Sequence, residues 1–338
     1  MKLVTYAGQG NATGVGLVTP GGQVVDLAQA MEWAVPAAAP GVRAGLPTTM
    51  IGLLQAGPAV LDAARAVSDR LVAQDERTLA ALALPGTIRL LAPITRPNNL
   101  RDFYAFEQHV QAARALRGLD MIPEWYQIPV FYFSNPDAIY GPDAPIPVPQ
   151  GTRELDYELE IACVIGQGGR DIPAERAEEH IAGYTILNDW SSRDFWRQFE
   201  SKLSMGPAKS KDFATSLGPW LITPDELADR RVGSGAETRY QLEMVARVNG
   251  REYSRGNAAT LTHTFAEMIA FASRDAWLKP GDVLGSGTVG TGCILELRPE
   301  SVGGWLKPGD VVELEIERLG VLRNMVVAGQ TPEEGMVG

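Results

Sequence analysis

From Glu154 to Ile161 acidic and apolar side chains alternate one for one: Glu154, Asp156, Glu158 and Glu160 against Leu155, Tyr157, Leu159 and Ile161. A period of two is that of a strand, in which successive side chains point to opposite faces. The spacing predicts a strand over 155–165 with one face in a core and carboxylates on the other. Residues 3–7, 14–19 and 23–27 read as short strands between Gly-rich turns. Over 47–83 the apolar positions Ile51, Leu54, Leu61, Ala64, Val67 and Leu71 recur at helical spacing, and the Pro- and Ala-rich 35–40 reads as a loop. Residues 87–93 return to strand, and Pro93, Pro97, Asn98 and Asn99 mark a linker.

The chain thus divides into a small N-terminal α+β unit, 1–93, and a larger unit, 94–338. In the larger one, strands are predicted at 129–133, 155–165, 182–188, 217–222, 240–248, 282–285, 293–297 and 311–317, and helices at 103–117, 174–179 and 263–275. That is an α+β fold, mainly β, with few helices in its second part. One heptapeptide occurs twice, Trp277-Leu278-Lys279-Pro280-Gly281-Asp282-Val283 and Trp305-Leu306-Lys307-Pro308-Gly309-Asp310-Val311. Pro-Gly suits the centre of a type II turn, so each copy is expected to turn the chain into a strand.

A formal net charge of −11 disfavours nucleic acid and anionic membrane surfaces as partners, since both require Lys/Arg patches. Cys163 and Cys293 sit in apolar runs and read as reduced core thiols. No signal peptide or transmembrane run is evident, and the expected compartment is the cytoplasm.

Four like charges on one strand face repel unless a cation sits among them, and hard divalent cations take carboxylate oxygens. An acidic wet face on an edge strand is the commoner explanation of such a stretch taken alone. Three other segments carry candidate chemistry. His109, one of three histidines, follows Asp102 by two turns on a predicted helix, and its pKa suits proton transfer near neutrality; a surface His is the commoner case. Asp189 ends an apolar strand, where an N-cap is the plainer reading. Lys211 lies among Gly, Pro and Ser, where a Lys can meet an oxyanion or simply face solvent. The Gly-rich 285–292 lets backbone approach a ligand but lacks the Lys of a P-loop. Glu296 follows as an isolated acid in an apolar run, and a buried acid needs a partner.

In order and content these blocks resemble the fumarylacetoacetate hydrolase family. The matching text is Asp102-Phe103-Tyr104 with His109, Arg117-Gly118, Pro123-Glu124-Trp125, Pro129-Val130-Phe131-Tyr132, Glu158-Leu159-Glu160, Asn188 to Asp194, Gly206-Pro207 leading to Lys211, Gly287-Thr288, and Glu296. The branch with the fumarylacetoacetase-type Asp-Phe-Tyr…His segment is the most similar. One departure is Trp196, which stands where that pattern has Gln three residues after the matching Arg.

The resemblance implies a β-rich catalytic domain behind a small N-terminal one. It implies a divalent cation (Mg²⁺ first, with Ca²⁺ and Mn²⁺ as alternatives) held by Asp102, Glu158, Glu160 and Asp189, with Lys211 and Thr215 around it. It makes His109 the general base, Glu296 its orienting partner, Arg193 and Lys211 the oxyanion donors, and Tyr104, Arg117, Tyr132 and Thr288 the substrate contacts. The implied reaction is hydrolysis of a carbon–carbon bond in a small 1,3-dicarbonyl substrate of acylpyruvate or fumarylacetoacetate type, by a homodimer. The alternatives are an isomerase, hydratase or decarboxylase of a related 2-oxo acid, and a non-catalytic binding protein with the same fold.

Overall fold

A computed structural model describes residues 1–8, 12–34, 46–203 and 206–329; the loop expected at 35–40 lies outside them. An 11-stranded sheet runs through the molecule. Four central neighbours, in spatial order, are Ile181–Asp189, Leu159–Ile165, Val283–Gly285 and Leu100–Phe103. Lys2–Ala7 joins the same sheet by pairing with Thr215–Ile222, so the first 93 residues share a sheet with the rest. A five-stranded sheet, which includes Glu243–Val248, Val311–Ile316 and Gly320–Val327, stacks on one face.

The Leu159–Ile165 strand is buried along its whole length because both of its faces are covered. Leu159, Ile161, Cys163 and Ile165 enter the core shared with the five-stranded sheet, including Met244, Ala246, Leu314 and Leu322. Ala162 and Val164 enter a second core, with Leu53, Leu54, Val67 and Leu71 of the N-terminal helices. Three of those helices are Met50–Gln55, Pro58–Val72 and Glu76–Leu82. Pro58 opens the second at a position where its missing N–H costs nothing, and Asp75 caps the third.

The repeated heptapeptide forms the same turn twice. Gly281 and Gly309 take φ +88° and +96°, and the Asp that follows each accepts the N–H of Lys279 or Lys307 at 3.0 and 2.9 Å. Each copy leads into a strand, as expected.

Several predicted elements need correction. Residues 293–297 are not a strand: Ile294–Leu297 is a short helix, because the N–H groups of Ile294 and Leu295 are taken by the Asp156 carboxylate rather than by a neighbouring strand. The helix predicted from 103 begins only at Glu107, and Asp102 lies in a four-residue strand too short and too polar to announce itself. Asp102 and His109 therefore do not share a helix. The helix at 174–179 is a 3₁₀ helix, Ala174–His180. The strand over 155–165 breaks at Tyr157 and Glu158, which splits the acidic row.

Candidate active site

The candidate site lies at one end of a single sheet face. Along each of the four central strands that face is apolar and then changes within two residues. Leu100 is followed by Asp102, Leu187 by Asp189, and Val283 by Gly285, while Ala162 is preceded by Glu160. Residues i and i+2 of a strand share a face, so the same side that packs on the N-terminal helices ends in carboxylates. Glu158 joins from the break before its strand, where its N–H donates to Asn188 Oδ1 at 3.0 Å.

Asp102, Glu158, Glu160 and Asp189 are all buried, and each offers an oxygen within 4.8 Å of the others. Two glycines permit this. Gly285 lies in register between Ala162 and Asp102, and a Cβ there would stand 2.5 Å from Asp102 Oδ1 and 3.0 Å from Glu160 Oε2. Gly287, at φ +78°, donates its N–H to Asp102 Oδ1 at 3.2 Å and to Glu160 Oε2 at 3.0 Å. The Gly-rich 285–292 thus brings backbone against the carboxylates themselves.

The remaining charge is balanced from one side. Lys211 Nζ donates to Glu158 Oε2 and Asp189 Oδ2, and Tyr132 OH donates to Asp189 Oδ2 at 2.5 Å and Asp102 Oδ2 at 3.3 Å. Arg193 binds Asp156 Oδ2 through Nε at 2.9 Å and Glu158 Oε1 through Nη2 at 2.7 Å. Burial works to raise the Glu158 carboxyl, but Lys211, Arg193 and His109 together hold it below the usual range. Burial pushes Asp102, Glu160 and Asp189 above that range, and the neighbouring acids add to the rise at Glu160 and Asp189. Glu160 Oε1 and Asp189 Oδ1 are buried and accept no hydrogen bond from any described residue. Two orphaned carboxylate oxygens inside a four-acid cage fit a divalent cation, which takes oxygen ligands and would satisfy both.

Beside the cage, His109 Nδ1 meets Glu296 Oε1 at 2.5 Å, with both side chains buried. Glu296 is fixed at its other oxygen by the Thr291 N–H at 2.9 Å, and Cys293 Sγ lies 3.6 Å from Oε1. Burial keeps the Cys293 thiol protonated, so it acts as a donor. Tyr104 packs edge-on to the His109 ring with centroids 5.2 Å apart. This contact orients the imidazole and directs Nε2 away from Glu296.

Of the sequence-predicted residues, the structure gathers Asp102, Glu158, Glu160, Asp189, Lys211, Tyr132 and Arg193 into one group and His109, Glu296 and Tyr104 into a second, with His109 near enough to Glu158 to help lower its carboxyl. Thr215 sits opposite Asp189 in the sheet, with its hydroxyl 3.5 Å from Ser134 Oγ. Thr288 is buried just after Gly287. Arg117 is exposed, lies over the Trp196 ring 5.5 Å from its centroid, and acts electrostatically on Tyr104. Asp156, Gly285 and Gly287 carry more of the geometry than sequence reasoning gave them. The glycines had a signal in their spacing, whereas Asp156 had none beyond its place in the acidic row.

The sequence matches the Fumarylacetoacetate (FAA) hydrolase C-terminal family over residues 99–327. It is 32% identical over 298 residues to human mitochondrial oxaloacetate tautomerase FAHD2A, covering 83% of this chain and 81% of that protein. In fold it is similar to a fumarylacetoacetate hydrolase from Exiguobacterium antarcticum, with TM-score 0.69, 24% identity, and coverage of 97% of this chain and 99% of that one. It is similar too to maleylpyruvate hydrolase from Sphingobium sp. SYK-6, a structure in complex with manganese(II) and pyruvate, with TM-score 0.66, 24% identity, and coverage of 98% and 100%. By the extent of the family match and the breadth of the human similarity, this chain belongs to the fumarylacetoacetate hydrolase family.

Proposed function

We propose that the protein hydrolyses a carbon–carbon bond in a small 1,3-dicarbonyl acid of the acylpyruvate type. The observation that carries this is the buried His109–Glu296 pair standing beside a four-carboxylate cage. Asp102, Glu158, Glu160 and Asp189 would hold a divalent cation, which when bound supplies a Lewis acid for substrate oxygens.

The chain's own residues then divide the work. Glu296 holds Nδ1 of His109, so Nε2 takes a proton from water and hydroxide adds to the carbonyl carbon. Lys211 and Arg193 put positive charge beside the developing oxyanion while remaining paired to Glu158. As the carbon–carbon bond breaks, its electron pair passes to the departing fragment as an enolate, and the His109 proton is returned to that carbon. Tyr132 stays protonated and donates into the cage, because burial and the adjacent acids raise its phenol well above the ordinary value.

A second reading is proton transfer without hydrolysis, the interconversion of keto and enol forms of a 2-oxo diacid. It is favoured by the similarity to oxaloacetate tautomerase across four-fifths of both chains. The same His109 would then take its proton from carbon or an enol oxygen instead of water. Product analysis separates the two. With Mn²⁺ or Mg²⁺ present, acylpyruvates are expected to yield pyruvate and a second carboxylate. Loss of enol absorbance with mass conserved would instead establish the tautomerase reading, and no turnover of either substrate class would overturn both.

A further inference from the structure

Asp156 is wholly buried, yet it lies outside the four-acid cage. Three donors converge on its carboxylate. Ile294 N–H reaches Oδ1 at 2.8 Å, and Leu295 N–H and Arg193 Nε reach Oδ2 at 3.1 and 2.9 Å. Neutralising Arg193 would take only the last of these. The other two belong to the first turn of Ile294–Leu297, whose opening N–H groups have no partners inside the helix. Four residues are far too few to hold a helix by themselves, so a fixed acceptor decides where this one starts.

Glu296 is the third residue of that helix, and it holds His109 at 2.5 Å. On the other side of Asp156, Arg193 reaches on to Glu158 of the cage at 2.7 Å. A continuous line of hydrogen bonds therefore runs Glu158–Arg193–Asp156–helix, and Glu296 carries it to His109.

We propose that Asp156 is a positioning residue: it sets where Glu296, and through it His109, stands relative to the four-carboxylate cage. This rests on reading His109 and Glu296 as the proton-transfer pair, but its first test needs no substrate.

The Nδ1 proton of His109, held in a short bond to Glu296, is expected far downfield in the proton spectrum. With three histidines in the chain, it is assigned by its loss in His109→Asn. In Asp156→Asn, which keeps the shape and one acceptor oxygen, that resonance is expected to move upfield or exchange away in a folded protein. Turnover is expected to fall about 10–10²-fold, as for a misplaced catalytic group, with KM within about twofold. Added to Glu296→Gln, the same change should lower kcat by less than about twofold, because residues acting in series do not add. An unmoved resonance, or losses that multiply in the double variant, would overturn the proposal. Should Asp156→Asn fail to fold, amide exchange in the wild-type protein decides. Ile294 and Leu295 N–H are expected to be protected, and exchange as fast as that of an unstructured amide would overturn the assignment. Absence of turnover with the resonance behaving as expected would count against the substrate reading alone.

Discussion

Acidic side chains placed together can repel, bind a proton or bind a cation, and the cage shows which ones are poised for each. Glu158 has two cations on it, Lys211 and Arg193, whereas Glu160 accepts the Gly287 N–H and has no cation paired to it among the described residues. Burial chiefly, then the adjacent acids, raises Glu160, so it takes up a proton at a pH where an exposed carboxylate would not. A divalent ion must displace that proton. Mn²⁺ affinity is therefore expected to strengthen as pH rises from 5 to 8, with protons released on binding; calorimetry in buffers of different ionisation enthalpy measures both, and affinity independent of pH would contradict the assignment. Replacing His109 by Asn is expected to lower kcat by about 10²–10⁴-fold, the usual contribution of a general base, with cation binding retained because no cage oxygen is lost. Single-turnover kinetics and Mn²⁺ titration check the two halves. Asp102, Glu158, Glu160 and Asp189 were named in the sequence because the family motif marks them. The proposed role of Asp156 was not legible, because its neighbours Leu155 and Tyr157 gave it the same alternation as the cage acids Glu158 and Glu160.

Strands account for the site more than helices do. The alternation around Glu160 correctly placed carboxylates opposite the Leu159–Ile161 core face, but it could not show that the strand breaks at 157–158. Local spacing also missed Leu100–Phe103, since Leu-Arg-Asp-Phe owes its strand conformation to pairing on both sides, antiparallel with Phe131–Ser134 and parallel with Val283–Gly285, the latter more than 180 residues away in sequence. Strand propensity is context-dependent for this reason. Gly285→Ala gives a direct check on the intervening strand. A methyl group placed 2.5 Å from Asp102 Oδ1 must push the carboxylate aside, so cation affinity is expected to fall by more than about tenfold while circular dichroism stays native. A contrast comes from Phe265–Ser273, where Thr264 and Glu267 form a reciprocal cap. Thr264→Ala there is expected to cost about 1 kcal/mol in denaturant unfolding and leave cation affinity unchanged.

The two cores meet across one sheet, so the N-terminal helices and the candidate site lie on the same face of it. The pattern of predicted elements pointed to the class of fold but not to this sharing, since nothing local in residues 1–93 says that Lys2–Ala7 will pair with Thr215–Ile222. Among the described residues no helix is long and apolar enough to cross a membrane. Because the cage joins three strands at the centre of the large sheet, a cation held there would stabilise the fold. At 100 times its dissociation constant, Mn²⁺ is expected to add about 2.7 kcal/mol to the unfolding free energy, read as a rise in midpoint that EDTA reverses. No change on adding metal would argue against a cation in the cage.

The Gly287 amide that binds Asp102 and Glu160 lies 185 and 127 positions after them. During synthesis all four acids leave the ribosome well before that amide does. A nascent chain halted short of Gly287 would thus display the carboxylates without the clasp that joins two of them, and capture of the ion would mark a late event in maturation.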